Sequence, residues 1–224
     1  MWVCTSHNCV KNFCHFIFYK INSVPDPTSH FLITKALKAV LKIAASKDSR
    51  LPITLNIFHR MLDNMHYIAQ SSYHAAMYKA MLAISFFAFL RPGEITSSDN
   101  NLYLHQLKIF PSHLTLTFTH FKHYQGEPIT ITVCRSNSRN CPVLLITQYL
   151  LCRGLNPGPL FCHPSGRPVL YYTYNLIFSK IVKFLQLPGK YSPHSARIGA
   201  ATYCSSIGVP EEVIRRVGRW RSNC

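Results

Sequence analysis

The 224-residue chain is poor in acids: 8 Asp and Glu stand against 24 Lys and Arg, for a formal net charge of +16. Only 14% of its residues are charged, where about 25% is usual, so the excess comes from missing carboxylates more than from added bases. A surface so short of carboxylates does not repel a polyanion. Nucleic acid is therefore first among partner classes, with an anionic membrane surface second. No stretch reaches the ~18–20 consecutive apolar residues of a membrane span. The most apolar run, residues 80–90, is bounded by Lys79 and Arg91 and has the length of a buried helix. The aromatic run at 13–19 lacks a basic start and a small-residue cleavage site, which argues against a secretory signal. No spacing repeats among the nine cysteines, and the chain is too long to need a disulfide staple, so reduced thiols in an intracellular compartment are expected. Cys4, His7, Cys9, Cys14 and His15 lie close in sequence but match no common zinc pattern, so neither a metal nor a cofactor is expected. There is no internal repeat.

What is there suffices for one full domain with a buried core, since 48% of the residues are hydrophobic. The charge is skewed: residues 135–224 carry 12 Lys and Arg against Glu211 and Glu212 only, whereas residues 1–134 carry 12 against 6. A polyanion should therefore meet mainly the C-terminal half. Residues 1–24 have no clean period and remain unassigned. Residues 29–46 repeat apolar positions at helical spacing with lysines opposite. Thr54 is placed to cap a helix, and residues 72–90 read as a long, almost wholly apolar helix that Arg91-Pro92-Gly93 interrupts. The period then changes: residues 104–110, 114–121 and 129–133 read as strands, the last two alternating Leu, Phe or Ile with Thr around a turn at Gln125-Gly126. Helices follow over 142–153, 172–187 and 194–207, and a last one opens on Pro210-Glu211-Glu212. The expected fold class is α+β, mainly α: a helical core with a small three-stranded antiparallel sheet.

Four features could carry chemistry. Arg91 with Glu94 follows the buried helix; the guanidinium either rests on the surface or stands at the mouth of the core, where its planar fork can take two oxygens of a phosphate. His194 and Arg197 lie at i and i+3 on one helix face, a spacing that lets a proton-transfer group and an electrostatic clamp converge on one ligand. The small residues Gly199-Ala200-Ala201 that follow let another backbone approach closely. Lys122 lies at the tip of the hairpin expected between the second and third strands, where a lysine is either simply solvated or long enough to donate a proton to a departing oxygen. Trp220, flanked by Arg219 and Arg221, either packs or contacts phosphate.

In order and spacing, this set resembles the catalytic core of the tyrosine recombinases, the phage-integrase superfamily. The wording F-L-R-P-G-E-I-T at 89–96, P-L-F-C-H-P-S-G-R-P at 159–168, H-S-A-R-I-G-A-A-T at 194–202 and V-G-R-W-R-S at 217–222 is particularly similar to recombinases of eukaryotic mobile elements, the DIRS-like, Ngaro-like and Crypton group. The resemblance covers about residues 28–224 and implies phosphoryl transfer on double-stranded DNA without metal or other cofactor. It implies that Arg91 and Arg197 hold the non-bridging oxygens of the scissile phosphate. His194 would assist proton transfer and Lys122 would protonate the leaving 5′ oxygen. The position after the glycine of the last motif is His in many members and Trp in others; Trp220 is its equivalent here, with Arg219 the alternative. Glu94 would be supporting, and Arg215, Arg216 and Arg221 would add DNA contacts. The DNA substrate also implies a nuclear location and assembly of copies on DNA, with no membrane partner.

The sequence departs from the pattern at both ends. In the family a nucleophilic tyrosine lies on a further helix beyond the position of Trp220, and this sequence stops at Cys224. Tyr203 stands six residues after Arg197, about 120° around the helix from it at roughly 100° per residue, and is no substitute; Tyr191 precedes the helix and matches nothing. The implied organisation is an unassigned segment 1–24, a remnant of the core-binding helical domain and linker over 25–49, and a catalytic domain over 50–224 that is incomplete at its C-terminus. Three functions follow: a DNA breaking-and-rejoining enzyme, inactive as given for want of its nucleophile; a non-catalytic DNA-binding module derived from a mobile element; and a helical protein with no retained activity.

Overall fold

A computed structural model describes residues 30–33, 35, 49–96, 102–119 and 126–220. The chain divides into two compact units, Met1–Ser49 and Arg50–Cys224. In the first, residues 31–33 and 35 are helical, and most of the helix expected over 29–46 lies outside the described residues. The architecture below is that of the second unit.

Thr54 caps α1 (Leu55–Ile68), its Oγ1 accepting the Ile57 N–H at 3.3 Å. The helix buries Phe58, Met61, Leu62 and Met65, at i, i+3, i+4 and i+7, a spacing that gives one apolar stripe. Ser71 caps α2 (Ser72–Phe87), which is buried nearly all round from Met77 to Phe86, including Ser85, whose hydroxyl donates to the Met81 carbonyl at 2.8 Å. A helix apolar on every face belongs at the centre, and α2 packs against α1, α4 (Pro142–Arg153) and α6 (His194–Ser206). It ends at Phe87, three residues short of the expected Leu90. Pro92 forces Arg91 out of helical geometry (φ −75°, ψ 144°), and the chain reverses through Phe89 at φ +53° before the short turn α3 (Pro92–Ile95).

The sheet has the order β1-β2-β3, all antiparallel, from β1 (Leu107–Ile109), β2 (His113–Phe118) and β3 (Ile129–Cys134). Leu114, Leu116 and Phe118 face the core opposite Val133, Ile131 and Ile129, while Thr115 and Thr117 take the other face. Residues 104–106, expected to be extended, form a 3-10 turn, because Gln106 folds back to accept the Tyr103 N–H at 2.8 Å. Phe118 pairs with Ile129, so the β2–β3 connection spans residues 119–128 and is far longer than a tight hairpin. Lys122 falls in its part that lies outside the described residues.

Helix α4 starts with Pro142 at its first position and ends at Gly154 (φ +77°). Beyond it Arg153 gathers the loop, donating to the carbonyls of Gly154, Asn156 and Pro159 at 3.0, 3.0 and 2.7 Å. Helix α5 (Tyr171–Phe184) packs on α1, and α7 (Glu211–Gly218) on α6. The segment before α1 is strapped to the start of α6: Leu51 N–H donates to the Lys190 carbonyl at 2.9 Å and Ile53 N–H to the Ser195 carbonyl at 3.0 Å. Gly199 makes this possible, since a Cβ there would overlap the Ile53 backbone. None of the helices among the described residues is long and apolar enough to cross a membrane.

Candidate functional site

Arg91, Glu94, Arg197 and Arg219, distant in sequence, meet where α2 ends, α3 begins and α7 closes. Arg91 is the N-cap of α3: its backbone N–H donates to Glu94 Oε2 at 2.7 Å and its Nη1 to Glu94 Oε1 at 3.4 Å. Glu94 is thus the reciprocal cap of its own turn, a carboxylate at a helix N-terminus. It is also the counter-charge of Arg219, whose Nη2 donates to Oε2 at 2.6 Å, with side chains only 2% and 4% exposed.

Arg197, projecting from the first turn of α6, is 5% exposed. Its Nη1 donates to the Phe89 carbonyl at 2.5 Å and its Nη2 to the Gly218 carbonyl. The Trp220 ring lies over the guanidinium, 4.3 Å from Cζ to centroid, and meets Phe89 edge-on. Arg91 Nη2 donates to the next carbonyl along, that of Arg219, at 3.3 Å. Arg197 and Arg91 are therefore moored to consecutive peptide carbonyls, and with a side chain 22% exposed Arg91 opens the pocket to solvent.

Three guanidiniums (Arg91, Arg197, Arg219) around one carboxylate (Glu94) leave a formal charge of +2. Burial pulls the Arg219 guanidinium below the usual arginine range; Glu94 opposes this and Arg91 adds to it. The short bond to Glu94 takes the place of water at the buried guanidinium. Such a pocket suits an anion of more than one charge with oxygens to spare for planar donors.

The remaining expected residues are distributed around this centre. His194 is the first residue of α6, half-buried, on the same face as Arg197 one turn before it. Arg215 and Arg216 occupy the last turn of α7, where they complement the helix dipole; Arg216 is exposed and Arg215 half-buried. Lys122 and Arg221 lie outside the described residues, as do Cys4, His7, Cys9, Cys14 and His15. Among the described residues no group of three or more His, Cys, Asp or Glu could hold a metal ion. Tyr203 is half-buried against the core.

Three participants escaped the sequence. Phe89 lends its carbonyl to Arg197 from a left-handed conformation that nothing in an apolar run announces. Phe118, read only as a core position of β2, lies under the Arg219 guanidinium, 4.8 Å from Cζ to ring centroid. Gly218 gives its carbonyl to Arg197 and its bare Cα to the Trp220 ring; a Cβ there would overlap the indole. The glycine of V-G-R-W was the available signal, though not for this reason.

No family model and no curated protein sequence matches the chain. Solved structures do. The chain is similar to the XerH site-specific recombinase bound to difH substrate in a pre-cleavage complex, at TM-score 0.61 and 18% identity over 79% of this chain and 49% of that one. It is similar to XerA recombinase at TM-score 0.58 and 18% identity, over 97% and 75% of the two chains. It is also similar to a lambda integrase dimer bound to a COC′ core site, at TM-score 0.56 and 14% identity, over 83% and 53%. The chain spans about half the length of the XerH chains it matches. With its helical core, its three-stranded antiparallel sheet and these neighbours, the chain has the catalytic-domain fold of the tyrosine recombinases.

Proposed function

We propose that the protein binds double-stranded DNA in the manner of a recombinase or integrase, with Arg91 and Arg197 gripping the non-bridging oxygens of one backbone phosphate. The observation that carries this reading is the mooring of the two guanidiniums on the adjacent carbonyls of Gly218 and Arg219, in a pocket of net positive charge. Planar donors held at fixed separation favour the charge that grows on a phosphoryl group during transfer. In the reaction the resemblance implies, a tyrosine hydroxyl attacks phosphorus, forming a 3′-phosphotyrosyl bond and releasing a 5′ hydroxyl. His194 would assist the proton transfer, and Lys122 would give the departing 5′ oxygen its proton. Trp220 would close the pocket beside Arg197, and Arg215, Arg216 and Arg221 would add phosphate contacts. The wording of the motifs supports descent from a eukaryotic mobile element and action in the nucleus as parts of the same proposal.

No tyrosine of residues 1–224 stands at the nucleophile's place in the pattern, so the 224-residue polypeptide should hold DNA without forming a covalent adduct. That is also the behaviour of a non-catalytic DNA-binding module. The test is anisotropy of a labelled duplex between 50 and 200 mM salt, where the logarithm of affinity should fall linearly with the logarithm of salt concentration, with a slope of about 0.9 per phosphate contact. Arg197→Ala, its fold checked by circular dichroism, should weaken binding across sequences and lower that slope by about one. Salt-independent binding, or a folded variant with unchanged affinity and slope, would refute the phosphate reading. A denaturant-resistant protein–DNA band on a nicked suicide substrate would refute the non-covalent part.

A further inference from the structure

The turn that ends α7 holds a residue of the wrong kind for its backbone. Trp220 N–H donates to the Arg215 carbonyl and Arg219 N–H to the Arg216 carbonyl, both at 3.1 Å, which is a Schellman-type closure. The left-handed position of such a closure is normally glycine, yet here it is Arg219, at φ 55° and ψ 42°. The only glycine nearby, Gly218, sits one residue earlier, in the helix. A strained conformation of this sort persists only where surrounding contacts over-determine it. Around this turn the Arg219 side chain makes the buried bond to Glu94 and lies on the face of the Phe118 ring, while the carbonyls of Gly218 and Arg219 accept from Arg197 and Arg91. Glycine would relax the backbone and lose the side-chain contacts.

We infer that Arg219 is the positioning residue of the pocket, its ion pair with Glu94 holding the left-handed turn that seats the Trp220 indole on Arg197 and presents the 219 carbonyl to Arg91. Each consequence is one bond away from the turn. Reversal of the chain at 219 folds the indole back against the bare Cα of Gly218, and that brings it over the Arg197 guanidinium. The same reversal aims the carbonyl of 219 at Arg91 Nη2. Arg219 acts through these groups and has no part in contacting the phosphate: its terminal nitrogens are committed to Glu94 and to the Val217 carbonyl, and its side chain is 2% exposed. The link to function rests on the phosphate reading above, whereas the link to Trp220 does not.

The experiment uses the full 224-residue chain with Trp2→Phe, which leaves Trp220 as the only tryptophan. Arg219→Met keeps a side chain that strains the left-handed position but cannot pair. Arg219→Met with Glu94→Gln strands no charge and serves if the single variant does not fold. Without DNA, acrylamide quenching of Trp220 should rise at least twofold and its emission move to the red, with the far-ultraviolet dichroism unchanged. A merely structural role would lower the melting temperature and leave the indole where it is. A folded variant with the parental quenching constant and emission overturns the inference. Duplex affinity at low salt should fall about tenfold in the same variants. If the parent binds and a variant with a released indole binds equally well, Arg219 does not position the site. If the parent itself binds no DNA, the phosphate reading fails while the quenching result still decides what Arg219 does.

Discussion

Replacing Glu94 with glutamine separates a buried ion pair from an exposed one within the same molecule. In the wild type the carboxylate serves Arg219 at 2.6 Å, the Arg91 N–H at 2.7 Å and Arg91 Nη1 at 3.4 Å. With side chains 2% and 4% exposed, the Arg219–Glu94 pair has no water to fall back on. Removing one partner leaves a guanidinium in a low-dielectric site with a 3.4 Å bond to the Val217 carbonyl and the Phe118 ring but no counter-charge, a loss of about 3–5 kcal/mol. Glutamine keeps one acceptor oxygen, so about 3 kcal/mol is expected. Asp63 supplies the contrast: its bond to Arg139 is as short, 2.7 Å, but the arginine side chain is 79% exposed and the aspartate 34%. Solvent screening puts Asp63→Asn below about 1 kcal/mol. With a urea m-value of about 2 kcal/mol/M for a domain of this size, Glu94→Gln should lower the unfolding midpoint by about 1.5 M and Asp63→Asn by less than about 0.5 M. Equal midpoint shifts for the two variants, or a Glu94→Gln shift below about 0.5 M, would mean that burial does not set the worth of this pair.

Gly199→Ala gains up to about 1 kcal/mol of helix propensity, but its methyl group must displace the Ile53 backbone. Overpacking costs about 1–3 kcal/mol, and the Ile53–Ser195 bond, about 1 kcal/mol more, would go with it. Net destabilisation of about 1–3 kcal/mol in urea unfolding is expected, and a more stable variant would show that the strap is not packed against α6. Stability should also fall with acid through His74, which accepts or donates at 2.8 Å to Ser71 and lies 3.4 Å from His163. Burial first, then the neighbouring imidazole, hold His74 below its usual pKa, so the unfolded chain takes up its proton first. This contribution is intact above about pH 6.5 and is lost as pH falls through the lower folded value. Melting temperature against pH should drop more steeply below 6.5 for wild type than for His74→Gln, and parallel curves would remove His74 from the account.

Elements with local punctuation were legible in the sequence. Pro142 and Gly154 bracket α4 where a starting proline and a closing glycine should, and the Leu-Thr alternation of β2 puts Leu114, Leu116 and Phe118 inside. Pro210, Glu211 and Glu212 likewise announce α7. What stayed hidden depends on partners far along the chain. The turn at 104–106 became 3-10 through the side chain of Gln106, a preference no alternation reports. Arg219 reads as one more basic residue in a basic tail, yet its partner, Glu94, is 125 residues earlier. Of the pocket, the positions of Arg91 and Arg197 were visible as motifs, whereas their common mooring at 218–219 was visible only in three dimensions.

That mooring has a consequence in time. Three of the bonds that assemble the pocket join residues 108, 125 and 128 positions apart, whereas α1, α2 and the sheet close over short separations. Contacts at such separation must first meet the entropy of closing a long loop and are slow to form. Every one of them involves α6 or the end of α7, the last two described elements in the chain. A nascent chain can therefore bury Phe58, Met81 and Leu116 while its arginines remain scattered, and the pocket comes into being only when the final turn arrives and locks. On the phosphate reading proposed above, a partly folded chain would have no grip on a phosphate and would hold DNA only weakly and without register.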